Sequence, residues 1–291
     1  MKQEQKNPGF KRVALPVLAV GALGVLVHVT HALTLDLMVE YKEVAFCSAK
    51  VPAKMSGYRI AFISDTHDAP EKRLSEVVKK LNDKSVDLLI LGGDFSTNVD
   101  APRPPLAALS QIKTTDGIFG VEGNHDNHET LFAAMEEFAI RPLDNTGVQL
   151  KEGFYLAGVA DLFNRSANIA AAIEGAAPGD FVLLISHSPD VAMKQDTAGV
   201  DLIVSGHTHG GQMNLFGAWS PIFTFTKPFN NAITKYGQRF RSGWALSPAG
   251  IPLYVSNGLG EFAPRIFARP QVTLLTLVQG HQPRPPGPPL S

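Results

Sequence analysis

Tyr58-Arg59-Ile60-Ala61-Phe62-Ile63-Ser64-Asp65-Thr66-His67 sets the pattern that the rest of the chain repeats. An apolar run of strand character stops at an acid and an imidazole two residues apart. A second apolar run, residues 86–91, stops in the same way at Gly92-Gly93-Asp94. Between them, Glu71–Lys84 places Leu74, Val77, Val78 and Leu81 at i, i+3, i+4 and i+7, the stripe of an amphipathic helix with a charged outer face. Strand, polar loop, helix, strand, polar loop is a βαβ unit, so the two strands are expected to be parallel neighbours joined by a right-handed crossover.

The same ending recurs along the chain. Ile118-Phe119-Gly120-Val121 leads into Gly123-Asn124-His125-Asp126, and Phe181–Ile185 leads into Ser186-His187-Ser188-Pro189-Asp190. Asp201-Leu202-Ile203-Val204-Ser205 leads into Gly206-His207-Thr208-His209-Gly210-Gly211-Gln212. Ligands of α/β sheets bind beyond the carboxyl ends of the strands, so these five loops are expected to share one rim. The glycines around His207 and His209 are expected to supply the positive φ of a tight turn. His-x-His alone is weak evidence for metal, since a pair of polar loop histidines has the same pattern. The acids, amide and imidazoles arriving from four other strand ends decide the matter.

Elsewhere, residues 35–51 alternate well enough for a first strand. Residues 100–105 break the pattern with three prolines and lead into a short helix over 106–112. Residues 128–138 read as an amphipathic helix with Leu131, Phe132, Met135 and Phe138 inward, as core. Residues 148–150 and 154–159 form an antiparallel pair about Lys151-Glu152-Gly153 that begins a second sheet, and a helix is expected over 168–174. Pro252–Val255 and residues 272–278 return to strand pattern, and no internal repeat is visible. Residues 212–250 differ, holding Phe216, Trp219, Phe223, Phe225, Phe229, Tyr236, Phe240 and Trp244 with Lys227, Lys235, Arg239 and Arg241. Two readings stand for so long a segment: an aromatic, basic lid toward substrate or membrane, or a packed irregular insertion.

The 291 residues are 44% apolar, enough for a full core, and the formal charge of −1 gives no basic field, so no nucleic-acid partner is expected. The single cysteine, Cys47, excludes an internal disulfide framework. Residues 1–12 are a cationic leader with Lys2, Lys6, Lys11 and Arg12, and residues 13–29 are almost unbroken Val, Leu, Ala and Gly. That run is at the short limit for crossing a bilayer. Pro16, Gly21 and Gly24 would weaken a soluble helix but are tolerated in lipid. The reading is a single-pass transmembrane anchor over 13–34 in the cell membrane, with a cleaved signal peptide and an interfacial helix as rivals. No small-x-small site follows the run, and Phe46 stands where a lipoprotein site needs a small residue. The leader favours a cytoplasmic N-terminus and an extracytoplasmic catalytic domain, although Lys42 and Lys50 downstream pull the other way. The globular domain is expected over 35–278, and the Pro-rich tail over 279–291 is expected to be extended and flexible.

Hydrolysis of a phosphate ester brings hydroxide against an anionic phosphorus centre. Two cations about 3.5–4 Å apart lower the pKa of a bound water and neutralise the repulsion. Holding them needs a shared carboxylate, and Asp94, alone at its strand end beside two glycines, is the residue expected to bridge. Imidazoles and an amide oxygen complete such a site without adding negative charge that would repel phosphate.

In this order, Asp65-x-His67, Gly93-Asp94, Gly123-Asn124-His125-Asp126, His187 and Gly206-His207-x-His209 resemble the calcineurin-like metallophosphoesterase superfamily. The resemblance runs from residue 59 to 212, and to Leu277 with the closing strands. Gly210-Gly211-Gln212, the apolar N-terminal run and Tyr254-Val255-Ser256-Asn257-Gly258-Leu259-Gly260 look like its membrane-associated bacterial branch. The resemblance implies an α/β fold of two packed mixed β-sheets flanked by helices, a four-layer α-β-β-α sandwich behind the hydrophobic anchor. It implies that Asp65, His67, Asp94 and His209 hold a first metal and that Asp94, Asn124, His187 and His207 hold a second. His125 matches the histidine near the leaving-group oxygen, and Asp126 would orient His125 and fix its tautomer. Two positions depart from the pattern: Asp68-Ala69-Pro70 replaces a glycine-containing turn, and Gln271 stands where the branch often has Glu. His28, His31 and His128 fall outside the motifs and are read as non-catalytic.

Imidazole, carboxylate and amide ligands without thiolate suit Mn, Fe, Zn or Co, with Mn the first choice. The function implied is a membrane-anchored, dinuclear-metal phosphodiesterase whose metal-bound hydroxide cleaves a phosphodiester or pyrophosphate in a lipid-linked substrate. A phosphomonoesterase is the enzymatic alternative. A UDP-acylglucosamine-type pyrophosphatase of lipid A synthesis is another, but it needs a cytoplasmic site. A non-enzymatic metal-binding scaffold would have lost ligands, and none is missing.

Overall fold

Central strands of this chain are apolar on both faces, so each sheet has to be covered twice. The computed structural model, which describes residues 8–67, 69–98, 101–225, 236–260 and 264–281 (backbone alone for 8–15 and 225), resolves that demand with four layers. Residues 1–7 of the leader, Asp68, Lys227, Phe229, Lys235 and the tail beyond His281 lie outside the described residues.

The apolar leader forms α1 (Pro8–Leu33). Its 26 residues extend about 39 Å at 1.5 Å per residue, against a hydrocarbon thickness of about 30 Å. The stretch Pro16–Leu37 is long and apolar enough to cross a membrane. Strand β1 (Glu40–Ser48) is shorter than the expected 35–51. Leu35–Leu37 is a 3-10 turn instead, because Asp36 turns inward and accepts the backbone N–H groups of Phe267 and Ala268.

Strand β2 (Tyr58–Ile63), helix α2 (Glu71–Lys84) and strand β3 (Leu88–Leu91) form the expected βαβ unit, with β2 and β3 parallel and in contact. Helix α3 (Arg103–Leu109), strand β4 (Ile118–Gly120), helix α4 (His128–Glu137) and the short strand β5 (Arg141–Pro142) extend the parallel run. Helix α3 starts three residues before the expected 106. Pro104 and Pro105 fall in its first turn, where a missing N–H has no helical partner to lose.

The second sheet opens with the antiparallel pair β6 (Thr146–Lys151) and β7 (Phe154–Gly158). Helix α5 (Ile169–Ala172), β8 (Phe181–Ile185), α6 (Val191–Lys194) and β9 (Leu202–Ser205) follow, then α7 (Ile222–Phe225), β10 (Gly243–Leu246) and β11 (Pro252–Val255). The order is β10-β11-β9-β8-β7-β6, parallel through β11, β9, β8 and β7 and antiparallel at both edges. Strand β12 (Gln271–Gln279) returns to the first sheet, parallel to β1 and antiparallel to β2, giving β1-β12-β2-β3-β4-β5.

Alternation sorts the side chains between layers. Ile60, Phe62, Leu88 and Ile90 face the other sheet and meet Leu156, Leu183, Leu202 and Tyr254. Ala61, Ile63, Leu89 and Leu91 point outward onto Leu74, Val77 and Leu81 of α2 and Leu131 and Met135 of α4. Ala157, Val182, Leu184 and Ile203 face Ile169, Ala172 and Val191.

The aromatic segment divides between its two readings. Phe240 is fully buried and Trp244 packs on Phe46 and Tyr254, so this part is structural. Leu215 and Phe216 stand exposed. Gln271 is a fastener in the sheet: its amide donates to Glu40 Oε2 at 3.2 Å, and its carbonyl oxygen accepts from the Thr273 and Tyr254 hydroxyls at 3.3 and 3.4 Å.

Phe62→Ala, which empties the space between the sheets, should cost about 3–5 kcal/mol. The loss should lower the urea midpoint at constant slope. Glu152→Ala, at the exposed turn between β6 and β7, should stay within about 0.5 kcal/mol of the parent.

Candidate metal centre

Parallel strands bring their carboxyl ends to one side of the molecule. Asp65 and His67 leave β2, Asp94 leaves β3, and Asn124, His125 and Asp126 leave β4. From the second sheet, His187 leaves β8 and both His207 and His209 leave β9.

These side chains meet in two groups. Asp65, His67 and His209 form one, and Asp94, His187 and His207 the other; in each, one ligating atom per residue lies within 4.8 Å of the rest. Asp94 joins them, because its Oδ2 lies 3.4 Å from His67 Nε2 and 3.3 Å from His187 Nε2. Its Oδ1 accepts the His125 backbone N–H at 2.8 Å, which fixes the rotation of the carboxylate. His187 Nδ1 donates to the Gly92 carbonyl at 2.7 Å, so its Nε2 faces inward, 3.2 Å from Asn124 Oδ1 and 3.2 Å from His207 Nδ1. His209 Nε2 is 3.7 Å from Asp65 Oδ1, and the Asp65 carboxylate also accepts the His207 N–H.

The backbone here is strained in a pattern that local sequence does not show. Of the non-glycine residues with positive φ, five are Asp65 (51°), His67 (35°), Asp94 (57°), His207 (69°) and His209 (49°). Such conformations cost of order 1–3 kcal/mol each and cluster at functional sites. The turn expected to rest on glycine is thus carried partly by the histidines themselves. Gly206 serves close approach instead, since a Cβ there would fall 2.3 Å from both Asp65 Oδ2 and Ser64 Oγ. Gly93 meets both needs, with φ of 88° and a Cβ position 2.5 Å from the Gly123 nitrogen.

Burial pushes the Asp65 carboxyl up, against the pull of His187. Burial also acts on Asp94, but His187 and His67 outweigh it and hold that carboxyl well below the usual range. His187 is held well above its ordinary value by Asp94 in spite of burial. Burial, reinforced by His187, pushes His207 down to about 3, and burial with the Arg265 guanidinium pushes His209 well down. His207 and His209 are therefore neutral at pH 7, with a ring nitrogen lone pair to offer. Two carboxylates, four imidazoles and an amide oxygen, without thiolate, fit a pair of divalent cations sharing Asp94.

His125 is exposed beside this cluster, its ring centroid 5.4 Å from that of His67. The role expected of Asp126 has to be corrected. Its carboxylate accepts backbone N–H groups from Asp94 (2.7 Å), Phe95 (3.0 Å) and Gly123 (2.8 Å), so it clamps the two loops together where we expected it to orient His125. Burial first and Asp94 second push Asp126 up to about 7, and the three donors oppose them.

Two further strand ends, beyond β7 and β11, reach the centre. Beyond β7, the Phe163 ring stacks on His207 at 5.2 Å and Asn164 Nδ2 donates to the Asn124 carbonyl at 2.6 Å. Beyond β11, Gly260 N–H donates to the Asp65 carbonyl at 2.6 Å, and Arg265 donates to the Asn257 and Ala268 carbonyls at 2.9 Å and approaches His209 Nδ1 at 3.4 Å. The signal for the first was present, since the apolar run 154–159 ends in Ala160-Asp161-Leu162-Phe163-Asn164. His128 packs apart, bonded to Glu122 at 2.8 Å.

The chain belongs to the calcineurin-like phosphoesterase family, whose model matches residues 58–211. Members of this family hold two divalent metal ions. The uncharacterized metallophosphoesterase YkuE of Bacillus subtilis is 27% identical over 257 residues, covering 82% of this chain and 86% of that protein. Phosphodiesterase YaeI of Escherichia coli is 27% identical over 241 residues, 76% of this chain and 82% of its own. A transmembrane protein with a metallophosphoesterase domain from Danio rerio is 27% identical over 187 residues, covering 56% of this chain and 43% of that longer protein.

Asp126→Ala should lower the affinity for Mn about 10–100-fold, the usual cost of removing a group that positions a ligand. Metal titration by calorimetry checks this, with circular dichroism confirming the fold.

Proposed function

We propose that this chain is a dinuclear-metal phosphodiesterase tethered to a membrane by α1. The observation that carries the reading is the meeting of two ligand groups at one buried oxygen, Asp94 Oδ2. Asp65, His67 and His209 would hold one divalent cation and Asn124, His187 and His207 the other, with Asp94 between them. When bound, such a pair supplies a nucleophilic oxygen at neutral pH and neutralises the phosphate charge. Mn is the metal we propose, the donor set being hard and mixed.

The protein's own groups divide the remaining work. The Gly92 carbonyl and the Asp65 carboxylate keep His187 and the 206–209 loop in place, so little reorganisation accompanies substrate binding. Exposed His125, its backbone tied to Asp94, would hand a proton to the departing alkoxide. Cleavage of a diester agrees with the phosphodiesterase named among the relatives. Membrane tethering is supported by the length and exposure of α1 and by the transmembrane relatives. On this reading the domain lies outside the cytoplasm and acts on a lipid-linked phosphoester.

With added Mn, the purified protein should hydrolyse bis(p-nitrophenyl) phosphate, lose activity on chelation and regain it on adding metal back. Asp94→Ala should fall to background; retained turnover would defeat the shared-carboxylate assignment, and faster cleavage of the monoester would favour a phosphomonoesterase. His125→Ala should lose about 10²–10⁴ in kcat on a diester with a poor alkoxide leaving group. The loss should be much smaller with p-nitrophenolate, which needs no proton.

A further inference from the structure

Helix α1 is docked on Phe216 and Phe267, in two segments that hydrogen-bond to or beside the loop carrying His207 and His209. Gly24, His28 and His31 lie on one face of α1, the face that meets the body of the protein. A Cβ at Gly24 would contact the Phe216 ring at 3.5 Å. The His28 ring lies between Phe216 and Phe267 at centroid distances of 4.5 and 5.1 Å. Both of its nitrogens are satisfied internally: Nδ1 donates to the Gly24 carbonyl at 2.7 Å, and Nε2 accepts the Phe216 N–H at 3.1 Å. His31 bonds to buried Asp36 at 2.7 Å and packs on Phe267 at 4.0 Å. Complete internal satisfaction of polar groups is what a non-aqueous surrounding requires.

Around this docked face the surface is apolar. Phe216 is 67% and Leu215 49% exposed, and Leu33, Leu35, Leu37 and Met38 continue the exposed apolar surface at the helix end. The tip carrying Leu215 and Phe216 is strapped to the metal loop. Asn214 Nδ2 donates to the Gly210 carbonyl at 2.9 Å, Ser220 Oγ donates to the Gly211 carbonyl at 2.6 Å, and Arg241 donates to the Gly217 carbonyl at 2.8 Å. The depth of the tip therefore sets the depth of His207 and His209.

Taking the tethering proposed above as given, we infer that the catalytic domain does not hang clear of the bilayer. Leu215 and Phe216 insert beside α1 into the boundary between headgroups and acyl chains, and hold the metal centre at the level of lipid phosphates. The occupant of this patch is lipid, because the patch is continuous with the exposed face of the spanning helix. The substrate class that fits is a phosphoester carried on a membrane lipid and reached without leaving the bilayer surface.

The test uses the full chain in nanodiscs of phosphatidylglycerol and phosphatidylcholine. A nitroxide is attached through Phe216→Cys, and separately through Leu215→Cys, in a Cys47→Ser background. Leu18→Cys reports the helix, and Glu152→Cys reports the hairpin turn at the end of the strands away from the centre. Labels at 215 and 216 should collide with oxygen at least about fivefold more than with an aqueous nickel complex, as the label at 18 does, and the label at 152 should show the reverse. If 215 and 216 behave like 152 while 18 is in lipid, the tether stands and the inserted tip is wrong. Low collision with both quenchers would place a protein surface over the tip and also overturn it. An aqueous label at 18 would remove the tether and the inference together, while hydrolysis of the soluble diester would be untouched.

Discussion

The Asp94 carboxylate is the constraint around which the other parts are arranged. It is 1% exposed, at the end of a strand whose four residues are all buried. A buried carboxylate is costly unless charge and hydrogen bonds compensate it. Here His67 and His187 converge on one oxygen and a backbone N–H takes the other. The crowding leaves no room for side chains nearby. A Cβ at Gly123 would fall 2.2 Å from Asp94 Oδ1, so the loop after β4 passes the carboxylate as bare backbone. Asp126 then ties that loop to the one after β3, and the two move as one piece.

Stability is given up at this end of the molecule and recovered elsewhere. Left-handed backbone at Asp65, His67, Asp94, His207 and His209 disfavours the folded state by of order 1–3 kcal/mol per residue. Three apolar layers above and below two sheets offset it, the central strands β2, β3, β7, β8 and β9 burying both of their faces. Strain confined to loops on a rigid frame is what preorganises ligands, because the frame leaves the loops no relaxed alternative. Burial likewise holds His207 and His209 neutral, the protonation state in which a ring nitrogen can serve as a ligand.

The N-terminal segment belongs to this frame. Asp36 receives two backbone N–H groups from the turn before β12 and a bond from His31, so the end of α1 and the closing strand share one anchor point. From that turn, Arg265 reaches toward His209. A continuous set of contacts thus runs from the apolar helix to the metal loop.

Features encoded within short windows are legible in the amino-acid order alone. Short apolar runs and a period-3.6 stripe define β2, α2 and β3, and polar residues at the ends of apolar runs mark Asp65, His67, Asp94, Asn124, His187, His207 and His209. Order along the chain sufficed to identify the family. Tertiary structure alone decided which distant segments complete these units. β1 pairs with β12 across most of the chain, an association that depends on surfaces formed only after folding. It turned Asp126 toward backbone, where the N–H groups of Asp94, Phe95 and Gly123 converge on its carboxylate. It brought Phe163 and Asn164 onto His207 and the Asn124 carbonyl, and it put positive φ on His207 and His209 as well as on Gly210 and Gly211. Local patterns report what a residue can do; its neighbours in space, set by the packing of two sheets, select what it does.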